Sequence, residues 1–238
     1  MLTLKEPGSA FSNRLLSALP PAEYERLAPH LELVALAPGK ILHNAGDVVR
    51  HAYFLKGGVA SLLSTTEDGR TIEVGMIGNE GMTGISIILR SRIAPYQVMV
   101  QLAGNALRIR GDILREEFNR GGKLQDLLLR YAHSLLIQVA QSAACNRFHT
   151  VEERLCRWLL VSRDRVQTHT LQLTQEFLSH MLGGPRTSVT AIAGSLQKEG
   201  LIKYSRGRIT ILSRDGLKAA SCECYERVRE GISQFLVA

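Results

Sequence analysis

The sequence predicts an α+β chain in three consecutive parts: a jelly-roll β-barrel, a long helix and a C-terminal winged helix-turn-helix. Three observations point there. Glycines punctuate short apolar or alternating runs between Leu31 and Arg110, as in small all-β units. Apolar residues then recur at spacings of three and four from Lys123 to Arg147, the period of one helical face. Two short helical patterns flank Gly183-Gly184-Pro185 and lead into a basic hairpin pattern, the layout of a winged helix-turn-helix. The boundaries fall at 1–122, 123–147 and 148–238.

Residues 9–30 read as helical, with Phe11, Leu15, Leu16, Leu19, Tyr24 and Leu27 as apolar positions around Pro20-Pro21. Candidate strands follow at Leu31–Leu36, Ala52–Lys56, Val59–Thr65, Thr71–Ile77, Gln97–Leu102 and Ala106–Arg110. Thr66-Glu67-Asp68-Gly69-Arg70 is the turn of a hairpin between two of them. Gly111-Asp112 caps the next helix, which ends near Gly121-Gly122. On the long helix, Leu129, Ala132, Leu136, Val139 and Ala143 form one stripe, which Leu128, Tyr131 and Leu135 widen. Such a face can meet the β-part on one side and a second copy of the helix on the other. The expected dimer interface is Leu128, Leu129, Ala132, Leu135, Leu136, Val139 and Ala143. Asn146-Arg147-Phe148-His149 reads as a hinge, Val151–Asp164 as a helix, and Val166–Leu173 as a short extended segment.

Thr174 can cap the first helix of the C-terminal pair, because its hydroxyl can accept from a free N–H in the first turn. Phe177, Leu178, Met181 and Leu182 give that helix an apolar side. Glycines permit the sharp turn, and Pro185 suits the start of the second helix. This second helix, about Arg186 to Glu199, buries Val189, Ile192, Ala193 and Leu196. It exposes Thr187, Ser188, Thr190, Ala191 and Gln197. Gly200 ends it. Lys203 to Ile211 forms a hairpin with Arg206-Gly207-Arg208 at its tip. A polar helix beside a basic wing is a DNA reader. A final helix from Ser213 carries Cys222, Tyr225, Val228 and Ile232.

The composition agrees. The 238 residues suffice for one large or two ordinary domains, and 45% hydrophobic content is that of a globular protein. Net charge is +7. Residues 151–238 hold 13 basic against 9 acidic residues and residues 1–150 hold 16 against 13, so the smaller part is the more basic per residue. Met1–Pro7 lacks the regions of a secretory signal, and no apolar run is long enough to span a bilayer. A cytoplasmic location without membrane association is expected. Cys145, Cys156, Cys222 and Cys224 make no CxxC pair. Cys222-Glu223-Cys224 reads as helical, where neighbouring side chains diverge. No metal site is therefore expected, and the redox state of the thiols is left open. No HxH, GxSxG, Walker loop or HExxH occurs, so an enzyme is not expected.

The order of β-roll, long helix and winged helix-turn-helix resembles the Crp/Fnr family of bacterial transcription regulators over nearly the whole chain. Gly46-Asp47 and Tyr53-Phe54-Leu55-Lys56-Gly57-Gly58-Val59 look like the family's strand-turn motif. Gly78-Asn79-Glu80-Gly81 followed by Gly84 resembles the turn before its ligand-binding cassette. Leu173-Thr174-Gln175-Glu176, Leu182-Gly183 and Leu196-Gln197-Lys198-Glu199-Gly200-Leu201-Ile202 match the reader's first helix, turn and wing approach. The resemblance implies a cyclic-nucleotide-binding-like sensor domain and a homodimer on a palindromic DNA site. RNA polymerase is a further implied partner. It places Arg186 on the base-reading arginine, Thr187 near a base edge and Ser188 on a phosphate. Arg206, Arg208 and Lys203 would meet phosphates. Thr174, Gln175 and Thr190 complete the expected DNA-binding set. Two positions depart from the pattern: Thr187 stands where the family has a glutamate, and Ala191 where it has a second arginine.

The matching effector pocket would comprise Gly84, Ile85, Ser86, Ala94 and Pro95. Cyclic-AMP-binding relatives carry there a glutamate for the ribose and an arginine-serine pair for the phosphate. Ile85 and Ala94-Pro95 cannot supply those contacts, and Arg90 and Arg92 are wrongly spaced. Control by cyclic AMP is not expected, because a buried phosphate without its cation is costly. An iron–sulfur sensor is unsupported, as no cysteine precedes Cys145. Haem is unsupported too, since His30, His43 and His51 are isolated. No cofactor is implied and the effector stays unidentified. The alternative function is a cyclic-nucleotide-type regulatory subunit acting on a protein partner, which leaves the winged helix-turn-helix without a use.

Overall fold

The computed structural model describes residues 13–237; the expected apolar Phe11 lies outside them. Two compact units divide these residues: 13–60 with 77–133 and 235–237, and 61–76 with 134–234.

The first unit opens on two short helices, α1 (Arg14–Ser17) and α2 (Pro21–Leu27), where the sequence predicts one helical stretch. Pro21 explains the break: it lacks an N–H to continue α1, yet its fixed φ suits the first position of α2. Asn13 is buried and anchors α1, donating to Leu55 O and Gly81 O while its Oδ1 accepts from Leu16 N. The strands are β1 (Glu32–Leu36), β2 (Ile41–His43), β3 (His51–Leu55), β4 (Val59–Thr65), β5 (Thr71–Ile77), β6 (Met82–Thr83), β7 (Gln97–Leu102) and β8 (Gly104–Arg110). Within the first unit β1, β8, β3 and β6 form a four-stranded sheet in the order β1-β8-β3-β6, while β5 and most of β4 belong to the second unit. In that sheet, β8 pairs antiparallel with β1 from Glu32↔Arg108 and with β3 from His51↔Arg110. The sequence predicts six of these strands. It misses β2 and β6, whose three and two residues are too short to show alternation. Gly104 is required where it stands, since a Cβ there would lie 2.1 Å from Gly57 O.

Next comes α3 (Gly111–Asn119), and then Gly121 and Gly122 turn the chain at positive φ. The long helix α4 (Lys123–Phe148) follows. Its cap comes from far away in sequence. The Glu23 carboxylate of α2 accepts from Lys123 N at 3.0 Å and Leu124 N at 2.8 Å. It thereby satisfies two orphan donors at the positive end of the helix. Tyr131 lies over Gly81, where a Cβ would come within 2.5 Å of its ring, and its hydroxyl donates to Met82 O at 2.7 Å.

In the second unit α4 runs through Asn146–Phe148, so these residues are helix and the break falls at His149-Thr150. Thr150 and Glu153 form a capping box that starts α5 (Val151–Val166). Then come β9 (Thr170–Gln172), α6 (Gln175–Leu182), α7 (Arg186–Lys198), β10 (Ile202–Ser205) and β11 (Arg208–Ile211), with α8 (Arg214–Ala220) and α9 (Cys224–Val237) last. Helix α5 packs on α6, α7 and α8, burying Leu155, Trp158, Leu159 and Leu160. Glu73 of β5 is buried in this unit, where it accepts from Ser61 Oγ and from Trp158 Nε1. Burial pushes its pKa up, against the pull of Ser61, Arg157, Trp158 and Arg165. Tyr225 joins α9 to the rest by donating to Asp164 at 2.6 Å and accepting from Arg214 at 2.7 Å. The single final helix expected from sequence is two helices, broken at Ser221–Glu223. Among the described residues no helix is long and apolar enough to cross a membrane.

Candidate nucleic-acid interface

Helix α6 begins as its sequence dictates: Thr174 Oγ1 accepts from Phe177 N at 3.2 Å. Gly183 ends it in the left-handed conformation (φ 60), and the N–H groups of Gly183 and Gly184 satisfy His180 O and Ser179 O. Pro185, extended, then starts α7. Val189, Ala193 and Leu196 are buried while Ile192 is half-buried. Arg186, Thr187, Thr190 and Ala191 are exposed at the helix start and Ser188 is half-buried. Thr190 Oγ1 donates back to Arg186 O at 2.9 Å.

The wing is a three-stranded sheet, β10-β11-β9, since β11 also pairs with Thr170–Gln172. Ser205 faces Arg208 across the hairpin, so its turn residues are Arg206 and Gly207, both at positive φ (48 and 72). That is the backbone of a type I′ turn. Gly207 O accepts from Leu173 N at 2.7 Å, which ties the tip to the segment preceding Thr174. Gln197 of α7 accepts from Tyr204 N at 2.7 Å and fixes the wing to the helix. Lys203, Ser205, Arg206, Arg208 and Thr210 line one depression on it. Arg186, Lys203, Arg206 and Arg208 are exposed and enter no ion pair among the described residues. Arg163 and Arg214 of the same unit, by contrast, reach Asp164. Gln175 is half-buried at the first position of α6.

Other expected sites fare differently. On α4, Leu128 and Leu135 of the expected dimer interface are buried within the chain itself. Leu129 and Leu136 are 48% and 66% exposed, Ala143 is exposed, and Ala132 and Val139 are half-buried. The exposed stripe is instead Leu129, His133, Leu136, Ala140 and Ala143, spaced alternately by four and three. In the effector region Gly84 (φ 85), Ile85, Ser86 and Ala94 are buried and Pro95 is exposed. A recess of this unit is lined by other residues, among them His43, Asp47, Arg50, His51 and Tyr53. His43 Nε2 lies 3.1 Å from Thr83 Oγ1, and burial, helped by His51, pushes its pKa down to about 4.

One constellation was not read from the sequence. Cys145 and His149 at the end of α4 meet Cys222 and Cys224 at the break before α9. The divergence expected for Cys222 and Cys224 does not hold, because only Cys224 is helical. Cys145 loses its proton most readily of the thiols. The hydrogen bond with Cys222 holds its pKa down, against burial and with help from Arg157 and His149. The same bond and burial hold Cys222 up. The i, i+4 spacing of Cys145 and His149 was the available signal.

A winged helix-turn-helix with unpaired cations on its polar face, placed after a β-sheet domain and a long helix, defines a DNA-binding transcription regulator. The description "Crp-like helix-turn-helix domain" matches residues 153–220, and "Cyclic nucleotide-binding domain" matches residues 33–120. The chain belongs to the Crp/Fnr family. A global nitrogen regulator of Synechococcus elongatus is 21% identical over 193 residues, covering 77% of this chain and 86% of that protein. A crystal structure of a Crp/Fnr-family regulator from Eubacterium rectale shares the fold with a TM-score of 0.68 at 22% identity, covering 87% of this chain and 96% of that one. FixK2 from Bradyrhizobium japonicum has a TM-score of 0.66 at 12% identity, covering 81% and 98%.

Proposed function

We propose that the chain is a homodimeric, sequence-specific regulator that reads a palindromic DNA site without cyclic AMP. The observation that carries the reading is the set of exposed, unpaired cations, Arg186 on α7 and Lys203, Arg206 and Arg208 on the wing. Arg186 stands at the first position of α7, where the helix N-terminus also favours an anionic partner. From there its guanidinium can donate two bonds to guanine O6 and N7, while Thr187 reaches a neighbouring base edge. Ser188, Thr190, Thr174 and Gln175 supply neutral hydrogen bonds to phosphate and base edges, and the wing cations supply affinity that falls with salt.

Dimerisation rests on the α4 stripe. Leu129, His133, Leu136, Ala140 and Ala143 keep the 3.5-residue period of a two-stranded coiled coil. Residues 123–147 would then join a sensor domain, 1–122, to a reader, 148–238. The family resemblance adds RNA polymerase as a partner and the cytoplasm as location. Independence from cyclic AMP is supported by the burial of Ile85, Ser86 and Ala94, which offer no charged group to a cyclic phosphate.

The test is fluorescence anisotropy on a site selected for this protein and on a scrambled duplex, for wild type and Arg186→Ala. The variant should lose about 1–3 kcal/mol on the selected site alone and relax the preference at one base pair. An equal loss on both duplexes would move Arg186 to a phosphate. No preference in the wild type would favour the regulatory-subunit alternative. Micromolar cyclic AMP binding in calorimetry would overturn the ligand part.

A further inference from the structure

Four donor side chains that DNA reading leaves unused converge in the second unit. The Sγ atoms of Cys145, Cys222 and Cys224 and a ring nitrogen of His149 all lie within 4.8 Å of one another. Cys145 Sγ is 3.6 Å from Cys222 Sγ, and Cys224 Sγ is 3.5 Å from His149 Nδ1. A tetrahedral zinc ion, with Zn–S of about 2.3 Å and Zn–N of about 2.0–2.1 Å, sets its ligand atoms about 3.8 Å apart for two sulfurs and about 3.5 Å for sulfur and nitrogen. The observed spacings fit one ion. They are too tight for a cluster, whose ligands sit on different irons.

The surroundings are those of a ligand set. His149 turns Nδ1 to the thiols, and its Nε2 lies 3.2 Å from the Glu223 carboxylate. That is the carboxylate–histidine arrangement that orients a zinc ligand. Gln141 Nε2 donates to Cys224 Sγ at 3.0 Å, a bond suited to a thiolate. Three thiolates and a neutral imidazole around a dication leave one net negative charge. Arg154 and Arg157 lie within electrostatic reach of Cys145; Arg154 also donates to Leu182 O and Arg157 also acts on Glu73, and among the described residues the Nε of each is buried without a hydrogen-bond partner. Buried cations are costly unless an anion answers them.

We propose that Cys145, His149, Cys222 and Cys224 bind one structural Zn²⁺, which clamps the last turn of α4 to the break between α8 and α9. Each thiol releases its proton to solvent on ligation. The soft sulfur ligands favour zinc over the oxygen-seeking cations. A Cys145–Cys222 disulfide is the competing use of these atoms; it would leave His149 and Cys224 without a role.

The full chain, purified with reductant and no chelator, should carry about one zinc per protomer by mass spectrometry of the metal. Exchange into Co²⁺ should give an intense thiolate-to-metal charge-transfer band with the visible bands of a tetrahedral site. Glu223→Gln should keep that spectrum and weaken the metal about 10–100-fold. Cys224→Ser should lose the band, and Cys156→Ser, a buried cysteine outside the set, should leave it unchanged. Stripping zinc from the wild type should lower Tm by on the order of 10 °C. Should the wild type hold no stoichiometric zinc and give no Co²⁺ band with its thiols reduced, the site is refuted. Stoichiometric iron with sulfide, or a disulfide as isolated, seen as a mass about 2 Da lower, refutes it equally, whether or not Cys224→Ser folds.

Discussion

Arg206 sets folding against binding at a single position. Its φ of 48 belongs to the left-handed region, beside Gly207 at 72. An L-residue there costs roughly 1–2 kcal/mol, and Asn-Gly is the preferred pair for this turn. Arg206→Asn should therefore leave stability unchanged or raise it by up to about 1 kcal/mol. Arg206→Gly should gain less, because glycine returns about 0.4–1 kcal/mol to the unfolded chain as entropy. If Arg206 meets a phosphate in each protomer of the proposed dimer, the same change should remove two phosphate contacts on DNA. At about 0.9 per phosphate, the slope of log K against log salt should become shallower by about 1.8. Urea unfolding and anisotropy titrations from 50 to 200 mM salt, both approximate bounds of the useful range, measure the two effects separately. A stability loss above about 1 kcal/mol would mean that the arginine side chain itself holds the turn. An unchanged salt slope would remove Arg206 from the phosphates.

Three other changes test other links. Leu136→Glu puts a charge on the exposed α4 stripe, where the side chain is 66% exposed, so sedimentation should show a folded monomer with loss of specific DNA binding. Glu23→Ala strips the N-terminus of α4 of both acceptors and should cost about 1–2 kcal/mol in urea unfolding. His43 links stability to pH. Its folded pKa is about 4 and its ordinary value 6.5, so between these values the unfolded chain binds the extra proton. Stability is then full above about 6.5 and falls as pH drops toward about 4, by at most about 3 kcal/mol. His43→Gln should flatten that part of the stability profile, and an unaltered profile would place the acid sensitivity elsewhere.

What the sequence revealed and what it hid have one physical explanation. Periodic or turn-bounded segments were legible: β4, β5 and β7 have the predicted limits, and α4 and α7 match to within one residue. Long-range polar contacts were not. Nothing local marks Glu23 as the cap of a helix 100 residues on, or Asn13 as an anchor for Leu55 and Gly81. On α4 the apolar stripe was visible, but only burial separates Leu128 and Leu135, packed inside, from Leu129 and Leu136, left outside. The cysteine–histidine set is hidden because Cys145 and Cys222 are 77 residues apart and because the helical pattern over Cys222-Glu223-Cys224 conceals a break. The reader fared better: its capping threonine, left-handed Gly183 and wing turn are each dictated by neighbouring residues.

Selection of DNA from a random pool by the purified full chain, with and without cell extract, addresses the dimeric reader most directly. A palindrome whose half-sites lie about 10–10.5 base pairs apart is the expected product. An asymmetric single half-site would contradict the two-fold dimer, and no enriched sequence under either condition would contradict sequence reading by α7 and the wing.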